Sequence, residues 1–174
     1  GDVERKFFKD DFSVDSSDNY ILQTTTQCDP SGWGTGTVTL ASKVATARNF
    51  CISKRLCNPD RVDISMSAGQ GGITYNYVDN SNFESIYLRP STESNSTLVR
   101  YVKKVSGVET ATELMVYNFS YTFPVNISFR NDGTSVKVYI NNVAKQTVPN
   151  TTITGYCGFG AKDENGMYMS GGTY

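Results

Sequence analysis

The residues that could carry chemistry in this chain are carboxylates, tyrosines, arginines and cysteines, because its 174 residues include no histidine. Histidine is the usual general base near neutral pH, the partner of Ser and Cys nucleophiles, and the commonest zinc ligand. The carboxylates do not form a pattern: Asp63 and Glu84 each stand alone in a strand-like run. Glu109 and Glu113 are predicted in a turn and in the strand that follows it. The sequence favours binding over catalysis.

Tyrosine and arginine supply the candidate binding site. The chain has 11 Tyr and one Trp, whose flat rings with a polar edge suit both sugar stacking and protein contacts. Alternate residues of a strand share a face, so Tyr87 and Arg89 lie together. If that face is the outer one, we expect a ligand-binding platform of Tyr75, Tyr77, Tyr87, Arg89 and Arg100, with Trp33 in a loop beside it. In the alternative, these tyrosines are ordinary cross-strand pairs and Trp33 folds back over a sheet end.

The cysteines form an even set without C-x-x-C spacing: Cys28, Cys51, Cys57 and Cys157. Four cysteines allow three pairings. We favour Cys51–Cys57, because only five residues separate them and Pro59 marks a turn just beyond.

Four Asn-x-Ser/Thr glycosylation sequons begin at Asn95, Asn118, Asn126 and Asn150. Together with the even cysteine count, they favour an extracellular or cell- or virion-surface location. The alternative is a cytosolic β-protein with four buried thiols.

Charge and hydropathy argue against nucleic acid and membrane partners, whereas the acidic loops allow a bound calcium ion. A net charge of -1 gives no basic footprint for nucleic acid. No apolar run approaches the roughly 18 residues of a membrane helix, so no membrane insertion is expected. We expect no cofactor, although Asp-rich loops leave structural calcium open, at Asp10–Asp11, Asp15 with Asp18, Asp79 with Asn80 and Asn82, and Asp163–Asn165. The glycine-rich run at 69–72 lacks a phosphate-loop lysine and is predicted to be a hairpin turn.

The elements that must position these residues are strands. Apolar and polar residues alternate along most of the chain, as in Val62–Met66 and Ile73–Tyr77. Asp132-Gly133 between two alternating runs predicts a hairpin, and Asn141-Asn142 predicts a second turn. Strands every 8 to 12 residues predict an all-β, antiparallel, two-sheet sandwich.

Four segments carry a family resemblance: the opening F-x-D-D-F-S at Phe8–Ser13, Tyr77–Arg89, the hairpin pair over Val125–Val143, and Thr154–Ala161. Their order resembles that of laminin-G-like and glucanase-like domains of the concanavalin A-like superfamily. The resemblance implies a jelly roll over residues 1–174, which we expect to be one domain of a larger protein, since Gly1 is not a start methionine. It also implies that the terminal strands adjoin, which brings Cys28 toward Cys157 and gives the second disulfide that we expect, Cys28–Cys157.

We predict recognition as the function, from the tyrosine and arginine residues and the missing catalytic motifs taken together with this resemblance. We expect a non-catalytic, lectin-like or adhesion domain that binds a glycan or a cell-surface protein through the Tyr/Arg face or through edge loops. The alternatives are a polysaccharide-degrading enzyme of the same fold, or a structural domain of a homo-oligomeric surface assembly. Against the enzyme, the chain lacks the E-x-D-x-x-E motif of the related glycosidases and the histidine of the related lyases.

Overall fold

The strands pair in antiparallel order throughout the computed structural model, which describes residues 9–22, 38–41, 44–47, 50–56, 59–160 and 172–174. This confirms the all-β prediction. A short 3-10 turn, Ser17–Asn19, precedes the first strand. The strands are β1 (Tyr20–Leu22), β2 (Val38–Ala41), β3 (Val44–Ala47), β4 (Phe50–Ser53), β5 (Arg61–Met66), β6 (Ala68–Gly69), β7 (Gly71–Asp79), β8 (Asn82–Pro90), β9 (Thr97–Val105), β10 (Val108–Val116), β11 (Val125–Asp132), β12 (Ser135–Ile140), β13 (Val143–Pro149), β14 (Gly158–Gly160) and β15 (Gly172–Thr173).

Two of the sheets form the sandwich. The front sheet has the order β1-β4-β14-β7-β8-β9-β10, and the back sheet has the order β13-β12-β11-β5. A third, small sheet, β2-β3-β15-β6, was not predicted.

The core lies between the front and back sheets. Strand alternation directs every second side chain inward, so Ile73, Ile86 and Val99 of the front sheet share one apolar cluster with the back sheet. The back-sheet members Ile127, Val136, Val138 and Ile140 are at most 1% exposed. The alternating runs in the sequence therefore identified the inner faces.

The predicted turns of the back sheet are confirmed. Gly133 joins β11 to β12 with φ +63°. Asn141 and Asn142 join β12 to β13 with φ of 49° and 66°. Asparagine tolerates this left-handed region better than most residues, so the turn forms without glycine.

The glycine-rich run at 69–72 is not the predicted hairpin turn. Gly69 ends β6 in the small sheet, whereas Gly71 begins β7 in the front sheet, and these two strands do not pair. Gly72 is needed for close approach, because a Cβ there would lie 2.0 Å from the Ile86 carbonyl oxygen. Residues 69–72 therefore connect the small sheet to the front sheet.

A register shift in β7 changes which face its side chains occupy. The pairing of β7 with β8 shifts between Tyr75 and Asp79, and Asn76 adopts φ 50°. Tyr75 joins the inner core, whereas Tyr77 packs with the ring of Phe83, on the outer side of the front sheet. A simple period of two would have placed both tyrosines on one face.

Candidate functional site

Three of the predicted residue types meet in one row across the front sheet. Tyr87 of β8 lies opposite Arg100 of β9, and Arg100 lies opposite Glu113 of β10. These three residues, called the outer row below, point away from the core because their neighbours Leu88, Val99 and Leu114 point into it. Arg100 Nη1 donates to Glu113 Oε1 at 3.2 Å.

The outer row is covered, which corrects the prediction of an exposed platform. Tyr87 is fully buried and Arg100 is 5% exposed. The side chain of Glu113 is 56% exposed, so the row meets solvent at its β10 end. An arginine removed from water must be compensated by partners, and Glu113 supplies one of them.

Tyr75 does not belong to any outer platform, because its ring lies in the core between the sheets. Its hydroxyl shares a 2.9 Å hydrogen bond with Thr151. Thr151 donates at 2.8 Å to Oε1 of Glu84, which also accepts from Tyr101. Burial raises the pKa of Tyr75 well above its usual value, and the nearby Glu84 adds to the effect. Glu84 is thus a buried structural carboxylate that points inward.

The other predicted platform residues are dispersed. Tyr77 is partly exposed near the turn at Asn80, to whose side-chain oxygen its hydroxyl donates at 2.7 Å. Arg89 is half-buried on the same outer face as Tyr87. Trp33 lies outside the described residues.

Glu109 and Glu113 both lie in β10, which corrects their predicted division between a turn and a strand. They share the outer face, four residues apart, and this spacing corresponds to about 13 Å between Cα atoms. Each has a cation opposite it on β9: Lys104 lies 3.4 Å from Glu109, and Arg100 pairs with Glu113. The two carboxylates are therefore held toward different partners.

An aromatic segment that was not among the predicted site residues connects β10 to β11. Residues 117–123 alternate aromatic and polar side chains, Pro124 follows them, and the segment includes no charge. Tyr117 is 63% exposed and Phe123 is 43% exposed. Phe119 and Tyr121 instead pack against the core. The signal that could have found this segment was the Tyr-x-Phe-x-Tyr-x-Phe pattern ahead of Pro124.

The aromatic segment is held in place from both sides. The backbone N–H of Phe119 donates to Asn95 O at 2.9 Å, and the Thr97 hydroxyl donates to Phe119 O at 3.0 Å. The Lys145 ammonium lies 4.2 Å from the centre of the Phe119 ring. Two inward rings thus anchor a segment whose other two rings face solvent.

Tyr121 is the inward ring of the segment that carries a polar group, its hydroxyl. Within the described part of the chain, its buried hydroxyl has no hydrogen-bond partner. Burial raises the pKa of Tyr121 to about 12. Its ring meets Phe123 edge to face, with 5.7 Å between the centroids.

The sequons and cysteines are placed as follows. All four sequon asparagines, Asn95, Asn118, Asn126 and Asn150, are exposed. Cys51 is fully buried, and burial raises the pKa of its thiol to about 12. Cys28 and Cys57 lie outside the described residues, so both disulfide pairings stay predictions.

The predicted calcium loops that the structure describes are satisfied by local hydrogen bonds. Asp79 Oδ1 accepts from Ser81 N at 2.8 Å and from Asn82 Nδ2 at 3.0 Å. Asp10 accepts from the hydroxyls of Ser16 and Tyr20. Among the described ranges, no group of three or more acidic or cysteine side chains is arranged to hold a metal. Asp163–Asn165 lies outside those ranges.

No described helix is long and apolar enough to cross a membrane. Comparison with family models and with curated proteins gives no match for the chain.

Comparison with solved structures does give matches. A glycoside hydrolase family 16 endo-glucanase from Bacteroides ovatus has a TM-score of 0.61 at 13% identity, over 94% of this chain and 90% of that one. A protein described as a native glycosidic hydrolase has a TM-score of 0.58 at 12% identity, over 93% and 89%. The carbohydrate-binding module CBM66 from Bacillus subtilis matches with a TM-score of 0.48 at 11% identity, over 82% and 97%. The first two matches, together with the paired antiparallel sheets, show that this chain has the concanavalin A-like jelly-roll fold.

Proposed function

We propose that this domain binds saccharide chains without cleaving them, and that its contact surface is the aromatic segment at residues 117–124. The single observation that carries the proposal is the exposure of Tyr117 and Phe123 on a segment whose other two rings anchor it to the core. The fold is compatible with this role, because its matches include carbohydrate-active proteins.

The chemistry of the segment suits a neutral sugar. The apolar C–H face of a pyranose ring stacks on an aromatic ring, while its hydroxyl groups require hydrogen-bonding partners nearby. Asn118, Ser120 and Thr122 stand between the aromatics, and all three are exposed. No residue of the segment is charged, so we expect an uncharged chain such as a β-glucan.

The size of the segment also suits a sugar better than a protein. Two large aromatic side chains with these exposures offer on the order of 200 Å² of accessible surface. A stable protein–protein interface buries about 800 Å² on each partner. The exposed rings match one or two sugar units.

The non-catalytic part of the proposal rests on the carboxylates. Glycosidases work with two carboxyl groups separated by about 5 to 9.5 Å across the scissile bond. Glu109 and Glu113 each pair with a different cation of β9, and Glu84 accepts hydrogen bonds from Thr151 and Tyr101 on the inner side of the sheet. The two carboxylates that share the outer face of β10 are therefore each paired with a cation and are not arranged as an acid–nucleophile pair.

Binding to laminarin and barley β-glucan, measured by affinity electrophoresis, tests the proposal. We expect retardation of the wild-type chain expressed in bacteria, and loss of most of it in the double variant Y117A/F123A expressed in the same way. The matched control is V105A/V108A, which truncates two exposed apolar side chains at the β9–β10 turn. Equal retardation of both double variants, or no retardation by any neutral polysaccharide, would contradict the proposal. A stable oligomer in light scattering without saccharide binding would instead favour a structural role.

A second candidate function is glycoside hydrolysis, and one observation favours it. Glu109 and Glu113 share one face of one strand, as the carboxylates of such enzymes do. Release of reducing sugar from the same two glucans would support it. The release would then have to disappear in E109Q and in E113Q separately.

A further inference from the structure

We propose that Asn118 is an N-glycosylation site, and that its attached N-acetylglucosamine covers the aromatic segment and thereby closes it to free saccharides. Only the closing of the segment to free saccharides rests on the proposed function. Glycosylation of Asn118 and coverage of the aromatic rings do not. It also places this chain in a secretory pathway, in line with the expected extracellular location.

The geometry distinguishes Asn118 from the neighbouring sequon. Asn118 is exposed, adopts φ 55° and lies between Tyr117 and Phe119. Its side-chain amide makes no hydrogen bond within the described part of the chain. In the neighbouring sequon, Asn95 Oδ1 accepts at 2.9 Å from the hydroxyl of Ser120, which is also the third residue of the Asn118 sequon. What sets Asn118 apart is therefore its position between two aromatic residues.

The attachment step is chemically complete. The Asn118 amide nitrogen forms a bond to the anomeric carbon of a lipid-diphosphate-linked oligosaccharide, whose lipid diphosphate leaves with the bonding electrons. The amide loses one proton in the same step. The sequon Asn118-Phe119-Ser120 supplies the acceptor pattern.

The attached sugar would cover the segment because it is tethered. The first sugar is linked directly to the residue beside Tyr117, whose ring is the most exposed one in the segment. A short tether gives an effective concentration in the millimolar range. A free polysaccharide at lower concentration cannot displace it from two weakly stacking rings.

Asn150 provides a matched control within the same chain. It is exposed and adopts φ 60°, like Asn118. Its neighbours are Pro149 and Thr151, so no aromatic ring adjoins it.

The test compares the full chain secreted from insect cells with the same chain expressed in bacteria. Glycopeptide mass spectrometry reports the occupancy of Asn118. Nitration of Tyr117 by tetranitromethane reports coverage of the ring without reference to any saccharide ligand. We expect an occupied Asn118, at least threefold slower nitration of Tyr117 in the glycosylated chain, and normal nitration in N118Q but not in N150Q.

The outcomes separate this inference from the proposed function. An unoccupied Asn118, or an occupied one with unchanged Tyr117 nitration, overturns the inference. Laminarin retardation tests the closing effect: the bacterial chain and glycosylated N118Q should be retarded, and the glycosylated wild type should not. If the bacterial chain fails to bind any glucan while nitration is slowed, the proposed function and the closing effect fail, and the covered site at Asn118 stands.

Discussion

The outer row and the aromatic segment contain the same kinds of residues in opposite environments. In the outer row, a tyrosine and an arginine lie on regular strands and are almost fully buried. In the aromatic segment, no regular strand is present, yet two of the four rings face solvent. The binding site was predicted on the strands, whereas the accessible rings lie in the connection between β10 and β11.

The difference shows that strand periodicity predicts which side chains share a face of a sheet, but not whether that face is exposed to solvent. Alternation places Tyr87 on the face opposite Leu88, and Arg100 on the face opposite Val99, because successive side chains of a pleated strand point to opposite sides. Whether an outer side reaches solvent depends on what else packs there. An irregular segment has no such alternation, so its partition into anchoring and exposed rings follows from local contacts with residues 95–97 and Lys145.

The largest effect should come from removing an anchor of the aromatic segment. F119A deletes a ring that packs on the core and contacts Lys145, and we expect it to lower the free energy of unfolding by about 2 to 3 kcal/mol. Urea denaturation measures this loss. If F119A costs no more than Y117A, the division into inward and outward rings is wrong.

In the outer row, removing the Glu113 carboxylate should lower the free energy of unfolding more than removing the Arg100 guanidinium. E113A leaves the buried Arg100 without this acceptor, and we expect a loss of about 1.5 kcal/mol. R100M leaves Glu113, which is already half exposed and can be hydrated, so its cost should be smaller. Thermal and urea unfolding of the two variants measure the difference. The opposite order would show that Glu113 is not the main compensation for Arg100.

Alkaline pH should weaken the anchor at Tyr121. Because burial raises its pKa from 10.0 to about 12, the folded state favours the protonated phenol. Stability from this effect is fully present below pH 10 and is lost as the pH rises toward 12. Y121F removes a buried hydroxyl and should change stability at neutral pH by less than about 1 kcal/mol. Unfolding measured between neutral pH and pH 11 should depend less on pH in Y121F, and an unchanged dependence would contradict the assignment.

The smallest effect on stability should follow from truncating an exposed ring. Y117A removes a side chain that is 63% exposed, and we expect a change in unfolding free energy below about 0.5 kcal/mol. The same variant should lose most of its retardation by laminarin. A large loss of stability would show that Tyr117 also acts as an anchor.

Much of the fold was predictable from residue patterns. The hairpins at Gly133 and Asn141 followed from turn chemistry, and the inner faces of β8, β9 and β12 followed from alternation. The shift at Asn76 was not predictable, because one left-handed residue moves Tyr77 to the other side without changing the apolar pattern ahead of it. Glu109 was predicted in a turn, but β10 begins at Val108, immediately after Gly107, so Glu109 already lies in the strand.

Composition and patterns among neighbouring residues were enough to predict the all-β class, the antiparallel hairpins and the absence of histidine chemistry. The packing of the sheets was needed to show that Tyr75 and Glu84 point into the core, that Arg100 is buried beside Tyr87, and that Tyr117 faces solvent. Burial depends on contacts between residues distant in sequence, as between Glu84 and Thr151. A periodic pattern records which side chains share a face, but it does not record what covers them.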